Sequence, residues 1–538
     1  MLNLSSEPTS PDDHILDPVR KVRECGSCEA KRTRKPLLRI VNKYSERVFN
    51  AAPRSAATFH TEIEVMQCRC SFEISEKIRI MVVTKAAFTK GSVLRHVVFM
   101  TSTSATSLLS IFLIEVLTVI YIAMLRDDSL VAAFAVAKTL LFFIISMILG
   151  IAVAVSTTVS RSLGSGVPDQ ARRLASSGVL LGILATVCGA ALELVVLDQS
   201  IRMLGGEGNS FIAAREYLSL TLPASVLIAV EQLCVQILRS AGFGKQAMWT
   251  LLTATAAVAI ADPLLIVIFD LGLVGAGIAY LISSLVSACL GFYYIHRVAH
   301  LTCRISLKYL LGDISDIGRT AMPAMMGNLA TPVGMAYVMA AMAPFGSQAL
   351  AAIGVIDRVI QVAFCVVFAM PGALIPILGQ NLGAMNTARV SQAVKTTYGL
   401  MICYGAATSL LLILLAEPLA RLFHVSGEGL VVFSAFCRWG GLLWTLIGLQ
   451  FIATSIFLSA GRPMYVTLFG WLRASLGTVP FVWYGAQAFG SVGVMLGQLL
   501  GNTIVAFCAC WVAHLLMKKR IGNKLDPTGN RSRHRGNS

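Results

Sequence analysis

One carboxylate stands alone in a long apolar stretch near the middle of the chain. Residues 253–269 read TATAAVAIADPLLIVIF, and Asp262 is the single charged residue among them. A charge inside an apolar membrane segment is costly unless it is paired, hydrated or protonated. Ionisable residues kept in such segments usually handle ions or substrates. The pattern therefore predicts a role of this kind for Asp262.

Four further ionisable residues interrupt apolar runs: Glu115, Lys138, Glu231 and Asp357. At a helical rise of about 1.5 Å per residue, all except Glu231 are predicted to share one level with Asp262, in the outer half of a membrane. Glu231 is predicted in the inner half. Two neighbouring carboxylates in a low-dielectric site cannot both ionise cheaply, so Glu115 and Asp262 are candidates to hold a proton between them.

The composition is that of a polytopic membrane protein. Of 538 residues, 56% are hydrophobic and only 13% are charged, whereas a soluble domain has about a quarter charged residues. The net charge of +16 would suggest a nucleic-acid partner in a soluble chain. Here the basic residues lie mostly in the tails and in alternate loops, so membrane topology explains them better, and no nucleic-acid partner is expected.

The elements that would position these charges are twelve apolar runs, each near the ~20 residues that cross a bilayer. The predicted spans are 98–125, 129–159, 176–198, 217–240, 246–269, 272–297, 317–343, 348–381, 396–417, 429–458, 463–488 and 490–516. With the N-terminus inside, the inner loops hold twelve Lys and Arg residues and the outer loops four. The positive-inside rule therefore predicts that both termini are cytosolic.

Both ends of the chain are polar. Residues 1–92 are predicted to be a cytosolic, largely disordered tail, and residues 517–538 a basic tail. The N-terminal tail contains the pairs Cys25/Cys28 and Cys68/Cys70. The CxxC spacing suits zinc, but CxC does not, so unrelated reduced thiols are the favoured interpretation and no metal site is expected.

Four local similarities indicate an internal repeat. Ala132-Ala133 matches Ala351-Ala352, Leu163-Gly164 matches Leu382-Gly383, and Ser240-Ala241-Gly242 matches Ser459-Ala460-Gly461, each at an offset of 219; Val274-Gly275 matches Val492-Gly493 at 218. Such a register argues for a duplicated unit of six helices. The prediction is an all-α integral membrane protein with twelve transmembrane helices in two six-helix lobes, related by a pseudo-two-fold axis along the membrane normal. The N-lobe spans 93–298, a linker 299–316 and the C-lobe 317–516.

The order of motifs across both lobes resembles the multidrug and toxic compound extrusion (MATE) transporters over about residues 95–516. The motifs in the N-lobe are SRSLGSGVPDQAR, LRSAGFGKQ, ADPLLIVIF and GLVGAGIAYLIS, and those in the C-lobe are AMPAMMGNLATP, ALAAIGVIDR and PILGQNLGA. The resemblance implies a secondary antiporter that exports organic compounds, often cationic, against an inward flow of protons or sodium. It implies no enzymatic activity and no cofactor other than the coupling ion.

The resemblance also implies where the ion couples. Family members have acidic residues in helices one and five of the first lobe, and Asp262 falls on the fifth-helix position; Glu115 lies about one turn before the usual first-helix aspartate. The sodium-binding pattern of the family has an Asn and a Thr where this chain has Val258 and Tyr280. Because sodium needs several oxygen ligands, protons are favoured. The chain also lacks the first-helix proline of some members, but Pro323 keeps the one in the seventh helix.

Four residues are candidates for the substrate cavity: Asp357, Lys138, Tyr280 and Glu231. Lys138 and Asp357 are equivalent repeat positions and would form an inter-lobe charge pair, or Asp357 would face a cationic substrate. Alternatively, Asp357 neutralises Arg358 and Lys138 extends to the membrane surface. For Gln380, hydrogen bonding between helices is favoured over a functional role.

Other functions fit the sequence less well. An intramembrane prenyl transferase would need a DDxxD array and a membrane hydroxylase would need histidine boxes, and neither pattern is present. A flippase for lipid-linked compounds or metabolites stays open because Lys138, Arg358, Arg438 and Arg473 lie in the apolar runs. The expected partners are a small organic substrate and the bilayer, with the protein a monomer in a plasma, vacuolar or plastid-envelope membrane.

Overall fold

The computed structural model describes residues 86–304 and 307–522, and these residues form helices without a β-strand. The twelve predicted helices are confirmed. They are α1 Val93–Ala123, α2 Asp128–Gly164, α3 Pro168–Val195, α4 Gly208–Ser240, α5 Gly244–Ile268, α6 Gly272–Val298, α7 Leu307–Met342, α8 at 347–383, α9 Thr387–Leu414, α10 Gly427–Ser459, α11 at 464–489 and α12 at 491–522. Most of the N-terminal tail, including its four cysteines, and residues 523–538 lie outside the described residues.

Local backbone chemistry sets the irregular points of these helices. α8 consists of Ser347–Ala363 and Cys365–Gly383, which meet at the non-helical residue Phe364. α11 and α12 meet at Gly490, whose φ of +60° is a left-handed value that favours glycine. In α5 the last turn widens to a π-turn at Pro263–Ile268, directly after Asp262. Because proline has no backbone N–H, it interrupts the regular hydrogen-bond ladder at this point.

The repeat extends to the smallest elements. A seven-residue helix, Leu197–Met203, lies between α3 and α4, and another, Ala416–Leu422, lies between α9 and α10. The second is displaced from the first by the same 219 positions at both ends (197 to 416 and 203 to 422). The two six-helix lobes are therefore copies of one unit, as the sequence predicts.

The lobes meet near the face at which α1 begins and α12 ends, which we call the terminal face. There, Arg161 Nη2 of α2 donates to the carbonyl of Ser459 in α10 at 2.7 Å. Gln380 Nε2 of α8 donates to the carbonyl of Ser240 in α4, also at 2.7 Å. The two bonds are related by the repeat (161 to 380 and 240 to 459). We call this pair of bonds the reciprocal clasp.

Glycines allow the clasp to form. A Cβ on Gly164 would lie 2.0 Å from the carbonyl oxygen of Gln380, and a Cβ on Gly383 would lie 2.2 Å from the carbonyl oxygen of Arg161. Contacts this short with backbone atoms cannot be relieved by a side-chain rotation. The ends of α2 and α8 therefore cross at a distance that only glycine permits.

The residues before α1 also join the lobes. Ala87–Thr89 forms a short 3₁₀ turn, and Phe88 within it is buried. The Phe88 amide donates to Gln380 Oε1 at 2.8 Å, and the Phe88 carbonyl accepts from Asn381 at 3.2 Å and from Arg389 at 3.0 Å. Gln380 thus binds the segment before α1 with its oxygen and the N-lobe with its nitrogen.

Helix α7 begins at Leu307, within the predicted linker 299–316, rather than at residue 317. Its first turns are polar, so the apolar run from which the span was predicted begins later than the helix. Within these turns the buried Asp313 accepts from Arg173 of α3 at 3.1 Å and from Ser177 at 2.9 Å. The start of α7 is therefore fixed to the N-lobe by an ion pair.

The glycine crossing predicts the effect of one methyl group. Gly164→Ala should destabilise the protein by about 1–3 kcal/mol, the usual cost of overpacking, because the ends of α2 and α8 must separate. The measurement is the thermal unfolding midpoint in detergent. Gly399→Ala is the matched control, because a Cβ at Gly399 in α9 meets nothing within 4 Å. An equal effect of both substitutions would contradict the close crossing.

Candidate functional site

Asp262 is the last residue of the regular part of α5 and is only 1% exposed. The Thr118 hydroxyl of α1 donates to Asp262 Oδ2. Thr118 is in the last two turns of α1, and Asp262 is near the corresponding end of α5. The carboxylate therefore lies in the half of the N-lobe farther from the terminal face, in contact with the first helix.

Glu115 lies one turn before Thr118 on α1 and pairs with Lys138 of α2, with Nζ 3.3 Å from Oε1. The two side chains are 38% and 34% exposed, respectively. Lys138 also lies 5.4 Å from the centre of the Phe134 ring and within electrostatic range of Asp262. Three predicted residues, Glu115, Lys138 and Asp262, are thus brought together between α1, α2 and α5.

This arrangement differs from two expectations. In this conformation Lys138 pairs with Glu115 of its own lobe and Asp357 accepts from Gln361, so the inter-lobe pair stays a prediction for another conformation. Asp262 and Glu115 are also not joined directly: within the described chain, the hydrogen bond of Asp262 is to Thr118 and that of Glu115 is to Lys138. Lys138 neutralises Glu115. Asp262 is then the ionisable group, with the Thr118 hydroxyl as its single partner.

A buried tyrosine, Tyr217, connects this group to a second polar group. The sequence analysis did not single out Tyr217. Tyr217 of α4 is 2% exposed, packs edge-to-face on Phe134 at 5.7 Å and lies within electrostatic range of Asp262, Glu115 and Tyr280. A tyrosine within an apolar helix gives no separate signal in one sequence, which is why it was missed. Through Tyr217 and the half-buried Tyr280, the Asp262 region is continuous with polar groups deeper in the N-lobe.

Glu231 of α4 is one of those groups and is 5% exposed. The Ser287 hydroxyl of α6 donates to Glu231 Oε2, and Gln232 Nε2 donates to Oε1 at 3.3 Å. Tyr280 lies within electrostatic range of Glu231. The structure therefore places Glu231 in the interior of the N-lobe, with its carboxylate hydrogen-bonded.

The C-lobe shows a simpler arrangement. Asp357 in the first half of α8 accepts from Gln361 Nε2 at 2.7 Å, and the exposed Arg358 donates to Gln361 Oε1 at 3.3 Å. Arg473 of α11 donates to Thr331 of α7 at 2.8 Å. These polar groups are paired within their own lobe, so the C-lobe has no equivalent of the Glu115, Lys138 and Asp262 group.

The described residues contain no group of three or more His, Cys, Asp and Glu side chains arranged to hold a metal ion. A site of one buried carboxylate, one hydroxyl and one neutralised ion pair is chemically suited to binding and releasing a proton. It lies between helices α1, α2 and α5 of one lobe. The fold and the site define a two-lobed membrane transporter.

Comparison with known proteins gives the family. A family model described as MatE matches residues 104–264 and again 323–483, and the two matches are displaced by the repeat offset (104 to 323 and 264 to 483). Together they cover more than half of the chain. The chain therefore belongs to the MATE family of transporters.

Several relatives agree with this assignment. An uncharacterised 21 kDa protein of Pseudomonas savastanoi is 70% identical over 46% of this chain and 82% of its own length. The FAD transporter of Shewanella oneidensis is 27% identical over 73% of this chain and 88% of its own. The multidrug export protein MepA of Staphylococcus aureus is 24% identical over 74% and 89%. A crystal structure of a mutant of the Vibrio cholerae MATE transporter VcmN has 22% identity and a TM-score of 0.75, covering 80% of this chain and 98% of its own.

The ion pair between Glu115 and Lys138 can be tested by a double-mutant cycle. Glu115→Gln, Lys138→Met and the double variant should show a coupling of about 0.5–3 kcal/mol, the range found for residues in contact. The measurement is the free energy of unfolding in micelles. The same cycle with Asp357→Asn in place of Glu115→Gln should be additive. A coupling energy between Lys138 and Asp357 would instead indicate that these two residues form the inter-lobe pair.

Proposed function

We propose that the protein is a proton-coupled antiporter that exports organic drugs or metabolites by alternating access. The observation that carries this proposal is the state of Asp262: a buried carboxylate whose hydrogen-bond partner is one hydroxyl, beside a carboxylate that Lys138 already neutralises. Burying such a group unpaired is costly, and protonation removes that cost. Asp262 is therefore the group that loads and releases the coupling ion, and Glu115 with Lys138 sets its electrostatic surroundings.

The surroundings of Asp262 support protons over sodium. A hard cation needs several oxygen ligands around it. The turn before Asp262 presents Val258, and the α6 position that the family uses for a Thr is Tyr280. Thr118 then supplies one hydroxyl. A proton needs a single acceptor, which Asp262 provides.

The conformation supports alternating access. The contacts of the reciprocal clasp and of Phe88 hold the lobes together at the terminal face, which the distribution of basic residues assigns to the cytosol. Asp262 lies toward the opposite face. An external proton loads Asp262 while the lobes are closed on the cytosolic side. The cleft then releases its substrate outward, and loss of the proton to the cytosol completes the cycle.

The substrate class is broader than cations. Among the relatives above, one is named an FAD transporter and another a multidrug export protein, which supports small organic compounds as substrates. The candidates for contact with the substrate are Asp357, Lys138, Tyr280 and Glu231. Export of a lipid-linked compound or a metabolite is the second candidate function, since Lys138, Arg358 and Arg473 provide cationic groups. We propose that the transporter acts as a monomer.

Ion coupling is tested in proteoliposomes with an imposed gradient of either protons or sodium, using ethidium as the substrate. A proton gradient alone should drive ethidium transport, and Asp262→Asn should reduce the driven rate by about tenfold or more, because the amide cannot take up and release the proton. Asp316→Asn is the control, since Asp316 is an exposed carboxylate at the start of α7. Transport driven by sodium alone, or full activity of Asp262→Asn, would contradict the assignment.

The hydroxyl partner of Asp262 provides a finer test. Thr118→Val should slow proton-driven transport several-fold, because the carboxylate loses a hydrogen bond worth about 1.5–3 kcal/mol when it is charged. Thr118→Ser should keep most of the activity. The pH at which transport is half-maximal is the readout, and it should shift for the valine variant and stay constant for the serine variant. Identical profiles of the two variants would exclude this role for the hydroxyl.

A further inference from the structure

A buried arginine that has no ion pair with another described residue lies between the lobes. Arg239, in the last turn of α4, is 7% exposed, and its Nη2 has no hydrogen-bond partner within the described chain. The ion pairs described for the protein involve other residues. A guanidinium has five N–H donors in a planar fork. Burial of this charge without an acceptor is costly, so its position needs an explanation.

The surroundings of Arg239 come from both lobes and are rich in donors. A Cβ on Gly372 of α8 would lie 3.0 Å from Arg239 Nη1 and 3.6 Å from Ser104 Oγ of α1. Ser104 is 1% exposed, and its hydroxyl also has no partner within the described chain. One turn earlier on α1, the buried Thr101 donates to the Sδ of Met370 at 3.7 Å, and a thioether is a weak acceptor.

Arg239 and Ser104 therefore both have donors near Gly372, with Thr101 one turn away on α1, and no strong side-chain acceptor is described for the three among the described residues. Neutral or cationic ligands do not complement such a group, whereas a carboxylate or phosphate does, because its oxygens accept from the guanidinium fork and from hydroxyls together. We propose that Arg239, Ser104 and Thr101 form an anion subsite that binds the carboxylate or phosphate group of an organic substrate. Gly372 lies directly against the guanidinium, so a larger side chain at this position would crowd the subsite.

The position fits a substrate that enters from the terminal face. Arg239 is in the last turn of α4, next to Ser240 of the reciprocal clasp. The subsite is enclosed while the lobes are closed there, and separation of the lobes exposes it. It lies in the opposite half of the bundle from Asp262, so ligand binding and ion coupling use different residues. The inference rests on the proposed export function and names compounds with an anionic group as one class of its substrates.

The test uses three naphthalene probes of similar shape: naphthoate, naphthyl phosphate and the uncharged naphthylmethanol. Binding to the full-length protein in detergent is measured by equilibrium dialysis, and proton-driven export of each probe and of ethidium is measured in proteoliposomes. One or both anions should bind at least about tenfold more tightly than naphthylmethanol, because a hydrogen bond to a charged group is worth about 1.5–3 kcal/mol. Which anion binds more tightly identifies the group.

Variants separate a binding role from a structural one. Arg239→Gln should reduce anion binding to the level of naphthylmethanol, with ethidium export within twofold of the unmodified protein. Arg239→Lys should retain part of the anion binding, and Gly372→Ala should reduce it while the charge is kept. Arg319→Gln is the matched control, because Arg319 is exposed on α7. It should change neither anion binding nor ethidium export.

Three results would overturn the subsite: equal binding of the anions and naphthylmethanol, anion binding that survives Arg239→Gln, or equal loss of anion and ethidium export in that variant. Failure of the proposed export function is distinguishable. In that case the probes bind in an Arg239-dependent manner, but a proton gradient exports neither them nor ethidium.

Discussion

Closure of the two lobes depends on the close approach of α2 and α8 at the terminal face. Gly164 and Gly383 let the two helix ends meet backbone to backbone, and the reciprocal clasp then forms across the contact through Arg161 and Gln380. Neither bond can form unless the two helix ends are in register, so the glycine crossing and the clasp depend on each other.

The two lobes have the same architecture but different chemistry. The seven-residue helices and the paired family-model matches show that the duplication extends along the whole unit. In the N-lobe, the ion pair of Glu115 and Lys138 and the buried Tyr217 lie close to the buried carboxylate of Asp262. In the C-lobe, Asp357 is satisfied by Gln361 within one turn of the same helix. Duplication supplied the symmetric framework, and divergence of a few side chains confined the charge chemistry to one half.

The sequence predicted the parts of the structure that depend on periodicity and length. The twelve spans and the repeat offset follow from apolar runs and aligned motifs, and the position of Asp262 follows from the cost of its charge. The partner of Lys138 could not be predicted from the sequence, because equivalent positions in a repeat need not be in contact. Its pairing with Glu115 depends on how α1 and α2 pack. The early start of α7 was missed because its first turns are polar and are stabilised by Asp313 and Arg173. Arg239 was not singled out, since its burial arises only when the lobes meet.

The turn that precedes α1 also shows which residues the folded unit needs in front of its first helix. Gln380 binds Phe88 with its carbonyl and Ser240 with its amide, so a single side chain connects the entry of the first helix to both lobes. The functional unit therefore begins before the first transmembrane helix. A shortened chain that starts at Val93 would keep all twelve helices. It would, however, leave the Gln380 oxygen and the Arg389 guanidinium without their partners from residues 88–91. Insertion into a bilayer and correct closure are thus separable properties of this protein.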